Sequence, residues 1–353
     1  MTPAGAAAPA RVVWRPNGSR CISLEVTQRC NSRCLSCNTW RYQKGGLAGE
    51  RSGREPELSL EEHLGVIRDA RTLGVEAIEL HGGEPSLCKH LPQLVRACAD
   101  AGLTTHFATN GLHYTRELVR AVTAARVTRL RFSLDGVGKD HDRLRGVAGA
   151  YDQLVRTMGM FVDADTDRTI GKSIRTNVSS ANLERIDRVL DVAKEIGIET
   201  VTIAFHACVS DEVVRATNDL FGEAVASLRS AVPATLLPTD VRVIARQQKA
   251  LQDKARRLQI ALTKTQFLLQ PPAEVPRGIK RPYRGPCRNV YGSCTIDAFG
   301  NVYPCETLRF RLGNVRDMPL ARILSGERYQ QFVGTYQTHR ANLGICDYCC
   351  ESL

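Results

Sequence analysis

A chain of 353 residues with 43% hydrophobic and 24% charged side chains has the composition of a soluble globular protein, long enough for one large domain and a small appendage. No run of eighteen apolar residues occurs, and Met1–Ala10 lacks both a basic start and an apolar stretch, which excludes a membrane-spanning helix and a secretory signal. The net charge of +11 includes a run of Arg277, Lys280, Arg281, Arg284 and Arg288, read as solvated surface; without interleaved aromatics it argues against a nucleic-acid partner. Thirteen cysteines with no export signal imply metal or cofactor ligation in a cytoplasmic protein, not disulfides.

Short β-rich runs alternate with amphipathic helical stretches, the pattern of a parallel α/β fold. Residues 1–20 form an N-terminal extension. Strands are expected at Cys21–Thr27, Ala77–His81, Thr104–Thr109, Arg129–Leu134, Thr169–Val178 and Thr200–His206. Ser59 and Glu62 make a capping box for a helix that Gly74 ends. The next helix carries Leu91, Leu94, Val95 and Cys98 on one face, so Cys98 reads as core. Asn182 is placed to cap a helix with the stripe Ile186, Val189, Leu190 and Ala193, ending at Gly197. Six strand–helix units are too few for a closed eight-stranded barrel. They suit a partial (β/α)6 TIM-like barrel over residues 21–235, with its site at the C-terminal strand ends. Residues 236–286 read as a helical and Pro-rich linker, the helix marked by Ile244, Leu251, Ala255, Leu258 and Leu262. Residues 287–353 form a small β-hairpin/α module, with its turn at Asp297–Asn301 and a helix near Leu320–Phe332.

Cys30, Cys34 and Cys37 follow directly on the first strand. Three thiolates this close can wrap one face of an iron–sulfur cubane and leave one iron open. Zinc is the competing reading, but a closed zinc site takes four ligands and no fourth is near in sequence. With this C-x₃-C-x₂-C spacing at the end of strand one, the chain resembles the radical S-adenosylmethionine (SAM) superfamily from about Cys21 onward. The resemblance implies a [4Fe–4S] cluster whose open iron is chelated by SAM, and a 5′-deoxyadenosyl radical that abstracts hydrogen from substrate. It also implies an external one-electron donor of flavodoxin or ferredoxin type. His81-Gly82-Gly83-Glu84-Pro85 looks like the family's GGE motif, in which Glu84 and the Gly82–Gly83 backbone contact the SAM amino group; glycines permit close approach and a carboxylate neutralises an ammonium. By the same resemblance Ser133 and Asn110 lie near the SAM ribose or carboxylate, and Arg145 grips the carboxylate with its two-pronged donor. Asn177 and Trp40 are weaker matches that read equally well as packing.

Cys287, Cys305, Cys346 and Cys349 resemble the ligands of a twitch or SPASM module holding one auxiliary [4Fe–4S] cluster. Cys294 is the rival ligand and Cys350 a substitute; four-cysteine zinc is the plain alternative. Such a cluster would accept an electron from a substrate radical. Glu306, beside Cys305, stands where related enzymes carry an acidic base. Cys208, just past strand six, and Cys88 are candidates for the hydrogen donor of an epimerase, although each also reads as a small buried hydrophobe.

The functional expectation is a radical SAM oxidoreductase that dehydrogenates a small alcohol, sugar or aminocyclitol. Peptide modification is the second reading, although the short stretch before strand one leaves no room for a fused leader-peptide-binding domain. Epimerisation is third, and a non-catalytic iron–sulfur carrier or sensor fourth.

Overall fold

In the computed structural model, residues 21–37, 56–205, 211–225, 234–236, 238, 240–263 and 287–348 are described. Six parallel strands arise where the sequence alternates aliphatic with polar side chains: β1 (Cys21–Thr27), β2 (Ala77–Gly82), β3 (Thr104–Thr109), β4 (Arg129–Ser133), β5 (Gly171–Val178) and β6 (Thr200–Phe205). They pair in chain order, as right-handed β–α–β crossovers require. The connecting helices include α1 (Leu60–Thr72), α2 (Leu91–Asp100), α3 (Arg116–Ala124), α4 (Lys139–Arg145), α5 (Ala150–Ala164) and α6 (Val189–Ile196). One face of each strand is sealed beneath them. Ile78, Leu80, Phe107, Leu130, Phe132 and Ile174 are at most 1% exposed, and the Phe132 ring lies 5.8 Å from Phe161 of α5. The opposite face keeps Glu79, His106, Arg131, Ser133 and Arg175, all half-buried. Hydrophobic burial therefore fixes which side of the sheet is left polar.

Departures from the sequence expectation include β5 and the start of α6. β5 begins at Gly171, because the Asp165 carboxylate accepts from the backbone N–H groups of Thr169 and Ile170 and holds them in a turn. Asn182 does not cap a helix with its side chain: its Oδ1 accepts from Ser179, while its Nδ2 donates to the carbonyls of Asp135 and Asn177. A 3₁₀ turn over Leu183–Arg188 precedes α6, with a kink at Arg185.

Within the stretch expected to be linker, α8 (Val241–Leu258) is the basic amphipathic helix, and α7 (Asp211–Phe221) precedes it. Ala261–Thr263 then joins the sheet as β7, parallel to β6 and beyond the barrel edge expected at residue 235. A three-residue strand whose ends are exposed leaves no periodic signal. The Pro-rich segment and most of the basic run lie outside the described residues.

The C-terminal module starts with α9 (Arg288–Gly292) and a hairpin of β8 (Cys294–Ile296) and β9 (Asn301–Tyr303), flanked by β10 (Gly313–Asn314). α10 (Leu320–Ile323) and α11 (Glu327–His339) follow. β8 pairs in parallel with β1, Ile22 opposite Cys294 and Leu24 opposite Ile296, so hairpin and barrel form one ten-stranded sheet. Arg316 of the module donates to Glu62 of the α1 capping box and holds that carboxyl down to about 2. No helix among the described residues is long and apolar enough to cross a membrane.

Candidate active site

The cysteine loop is built by backbone crossing at the end of β1. Gly83 N–H donates to the Thr27 carbonyl at 2.9 Å and Glu84 N–H to the Arg29 carbonyl at 2.8 Å. A Cβ on Gly82 would lie 2.1 Å from the Thr27 oxygen, and one on Gly83 2.1 Å from the Arg29 oxygen. Gly82 also has φ +133°, which L side chains rarely adopt. These glycines let the GGE turn press against the chain entering the cysteine loop.

Glu84 is 1% exposed. Its Oε1 accepts from Ser86 N–H, Ser86 Oγ and Thr109 Oγ1, and its Oε2 accepts from Asn110 N–H. Burial pushes the carboxyl upward, and those donors pull it back. The structure thus turns Glu84 toward the end of β3, where it works as an internal brace. Asn110 is the next link. Its Nδ2 donates to Asn31 Oδ1 and Ser32 Oγ, at 2.8 and 3.0 Å, tying the β3 end to the cysteine loop.

α4 braces the loop from the other side. Arg33 and Leu35 N–H groups donate to the carbonyls of Arg145 and Leu144, one on each side of Cys34. Arg145 Nη2 lies 2.8 Å from Asp135 Oδ2 and 2.7 Å from the Ser133 carbonyl, and Nη1 lies 3.7 Å from Cys34 Sγ. Asp135 has further partners: its Oδ1 accepts from Asn177 N–H, and its own N–H donates to His141 Nδ1. Burial, and then the Arg145 charge, push His141 down to about 4, so the ring is neutral. Sequence reasoning gave roles to Ser133 and Arg145 and passed over Asp135, although it stands in the same Ser-Leu-Asp-Gly turn.

In the C-terminal module Cys287 and Cys346 are each close enough to Cys305 to act on it electrostatically. Burial pushes the Cys305 thiol up to about 12, opposed by the N–H of Leu308, which lies 3.2 Å from the sulfur. Cys349 and Cys350 lie outside the described residues, as do Cys208 and Trp40. Cys294 is not brought to this group. It is wholly buried in β8, with Cys21 as its thiol neighbour, because a side chain in register with Ile22 faces the apolar layer. Cys88 and Cys98 are part of that core. Glu306 is exposed, with Oε1 3.9 Å from His81 Nε2. That imidazole nitrogen is buried and, among the described residues, has no hydrogen-bond partner. The sequence reading quoted His81 only as part of the GGE motif.

Residues 24–174 match the family model of the radical SAM superfamily, and residues 287–350 match SPASM, an iron–sulfur cluster-binding domain. The chain is a radical SAM enzyme with a SPASM-type module. The AdoMet-dependent heme synthase of Methanosarcina barkeri is 28% identical over 346 residues, covering 94% of this chain and 89% of that protein. The PqqA peptide cyclase of Rhizobium meliloti is 30% identical over 186 residues, only 46% of the cyclase. Streptococcus suis SuiB, solved with S-adenosylmethionine bound, superposes at a TM-score of 0.64 and 15% identity, over 91% of this chain and 68% of that one. That likeness concerns the fold.

Radical SAM and SPASM domains bring [4Fe–4S] clusters and SAM as cofactors. The thiols at the first site suit that requirement by their chemistry. Cys30, Cys34 and Cys37 lie within electrostatic reach of one another, and burial pushes the Cys30 thiol up to about 11, so the metal-free thiol is protonated at neutral pH and bound iron would hold it ionised. The N–H of Ser32 lies 3.5 Å from the Cys30 sulfur, and the Arg145 guanidinium faces that of Cys34. N–H donors aimed at sulfur suit metal-bound thiolates.

Proposed function

We propose that Cys30, Cys34 and Cys37 hold the SAM-cleaving cluster, that Cys287, Cys305, Cys346 and Cys349 hold the auxiliary one, and that the enzyme uses both to oxidise its substrate. The cofactors would supply a 5′-deoxyadenosyl radical at the first site and an electron acceptor at the second. Loss of a hydrogen atom, then of one electron and one proton, amounts to a two-electron oxidation. One observation carries the reading. Because β8 is hydrogen-bonded to β1, the loop after Cys305 is held against the GGE strand, with Glu306 3.9 Å from His81. Glu306 is the acidic group available there for the proton. Gly82, Gly83, Ser133 and Arg145 border the SAM position in this reading, with Glu84 and Asn110 holding the cysteine loop in register. An external donor of flavodoxin or ferredoxin type would supply the initiating electron.

For the substrate, the polar sheet face favours a carboxylate-bearing molecule over the neutral alcohol that the sequence alone put first. Arg131 and Arg175 stand on that face, with Glu79 3.8 Å from Arg131 and 3.9 Å from His106. Arg175 is held by Asn177 and lies beside Ser133 in the strand register. A carboxylate is bound by such a guanidinium in two-pronged fashion, which a neutral polyol is not. Relatives named as heme synthases and peptide cyclases are compatible with such a substrate, because heme and peptides both carry carboxylates. The test is an anaerobic assay of cluster-loaded protein with SAM and reductant, offering Fe-coproporphyrin III, an acidic peptide and a neutral aminocyclitol in turn. Faster 5′-deoxyadenosine release with a carboxylate substrate, and a KM raised roughly tenfold or more in Arg175→Ala, is expected, the equivalent of about 1.4 kcal/mol. Turnover of the aminocyclitol alone would reverse the substrate assignment.

A further inference from the structure

We propose that Arg145 sets the reduction potential of the catalytic cluster through the Cys34 sulfur, independently of any contact with SAM. The inference rests on the reading that Cys34 is a cluster ligand. Arg145, Cys34 and Asp135 are 9%, 8% and 5% exposed, so their charges act in a water-poor setting where electrostatic effects are strong. The guanidinium is aimed by its surroundings. Nη2 is held by Asp135 and the Ser133 carbonyl, which leaves Nη1 facing Cys34 Sγ at 3.7 Å. Nε is buried and has no hydrogen-bond partner among the described residues.

The backbone prevents the group from drifting. Gly146, at φ +65°, closes α4 so tightly against the loop that a Cβ there would lie 2.6 Å from the Arg33 carbonyl oxygen. The Arg33 and Leu35 N–H groups then clamp the chain on both sides of Cys34. Arg145 is therefore fixed relative to the sulfur by three short chain contacts.

One-electron reduction adds negative charge to an iron–sulfur cluster, and hydrogen bonds and positive charge at its sulfurs stabilise the reduced form. Asp135, 2.8 Å from the same guanidinium, opposes this effect. Of the other titratable groups packed here, His141 is neutral, Glu84 acts on Cys30, and Cys30 and Cys37 belong to the same ligand set. The two charged partners should thus move the potential in opposite directions.

The experiment is an EPR-monitored anaerobic redox titration of the full chain without SAM, with iron and sulfide counted. Arg145→Gln is expected to shift the midpoint of one cluster to more negative values and Asp135→Asn to more positive ones, with the other cluster unmoved. Arg145→Lys, which keeps the charge, should recover part of the shift. Midpoints identical to wild type in loaded Asp135→Asn and Arg145→Gln overturn the inference. If Arg145→Gln fails to load, Asp135→Asn alone decides it. Cys34→Ala tests the underlying assignment separately: if it retains the full iron and sulfide of both clusters, Cys34 is not a ligand and that reading is the one that fails.

Discussion

Glu84 takes four hydrogen bonds inside a site from which water is nearly excluded. Each donor left without an acceptor costs on the order of 1–3 kcal/mol. Glu84→Ala is therefore expected to lower unfolding free energy by about 3–5 kcal/mol in a urea titration of the metal-free protein. Glu84→Gln should cost nearly as much. Whichever way the amide turns, its NH₂ meets an N–H of Ser86 or Asn110, so the isosteric change cannot restore the brace. Gly83→Ala belongs to the same scale: a methyl 2.1 Å from a backbone oxygen has no flexible neighbour to displace, and a loss above ~3 kcal/mol is expected. His141 adds a pH dependence. Its folded pKa, about 4, lies below the unfolded value of 6.5, so the unfolded chain binds the extra proton between them. Its stabilising contribution is complete above pH 6.5 and falls by about 3 kcal/mol as pH drops toward 4. His141→Asn should flatten urea midpoints measured between pH 7 and 5.

The strands and most helices were legible as elements because burial on one side leaves a period in the sequence. β1 and β3 have the expected bounds, and the Ser59–Glu62 capping box is formed. Asn182 was misread for a physical reason: an asparagine before an apolar stripe matches a cap, yet its side chain is drawn into the carbonyls of Asp135 and Asn177 from another strand end. At this scale the contact between β1 and the C-terminal module is the informative one. Glu25 of β1, wholly buried, pairs with Arg309, whose guanidinium also lies 4.9 Å from the centre of the Tyr303 ring. Arg309→Met removes this cation from a buried carboxylate and should cost about 3–5 kcal/mol, whereas Glu25→Leu with Arg309→Met should recover most of it. Equal destabilisation by single and double variants in chemical denaturation would contradict that account.

Across the whole molecule, a single sheet carries both cofactor modules. The β1–β8 ladder, the Glu25–Arg309 pair and the Arg316–Glu62 contact are among the links that join them. Metal-free protein should accordingly unfold in one calorimetric transition, not in separate barrel and module steps.

The sequence by itself determined the cysteine spacings, the alternation of strands and helices in a partial barrel and the glycine pair of the GGE turn, because each depends on residues adjacent in the chain or on a local period. Only the tertiary structure decided that Glu84 faces the end of β3, that Arg145 lies between Asp135 and Cys34, and that Cys294 belongs to the core while Cys305 gathers with Cys287 and Cys346. Those choices are made by which side of a strand is desolvated and which charges are closed in together, and such information lies between distant segments of the chain.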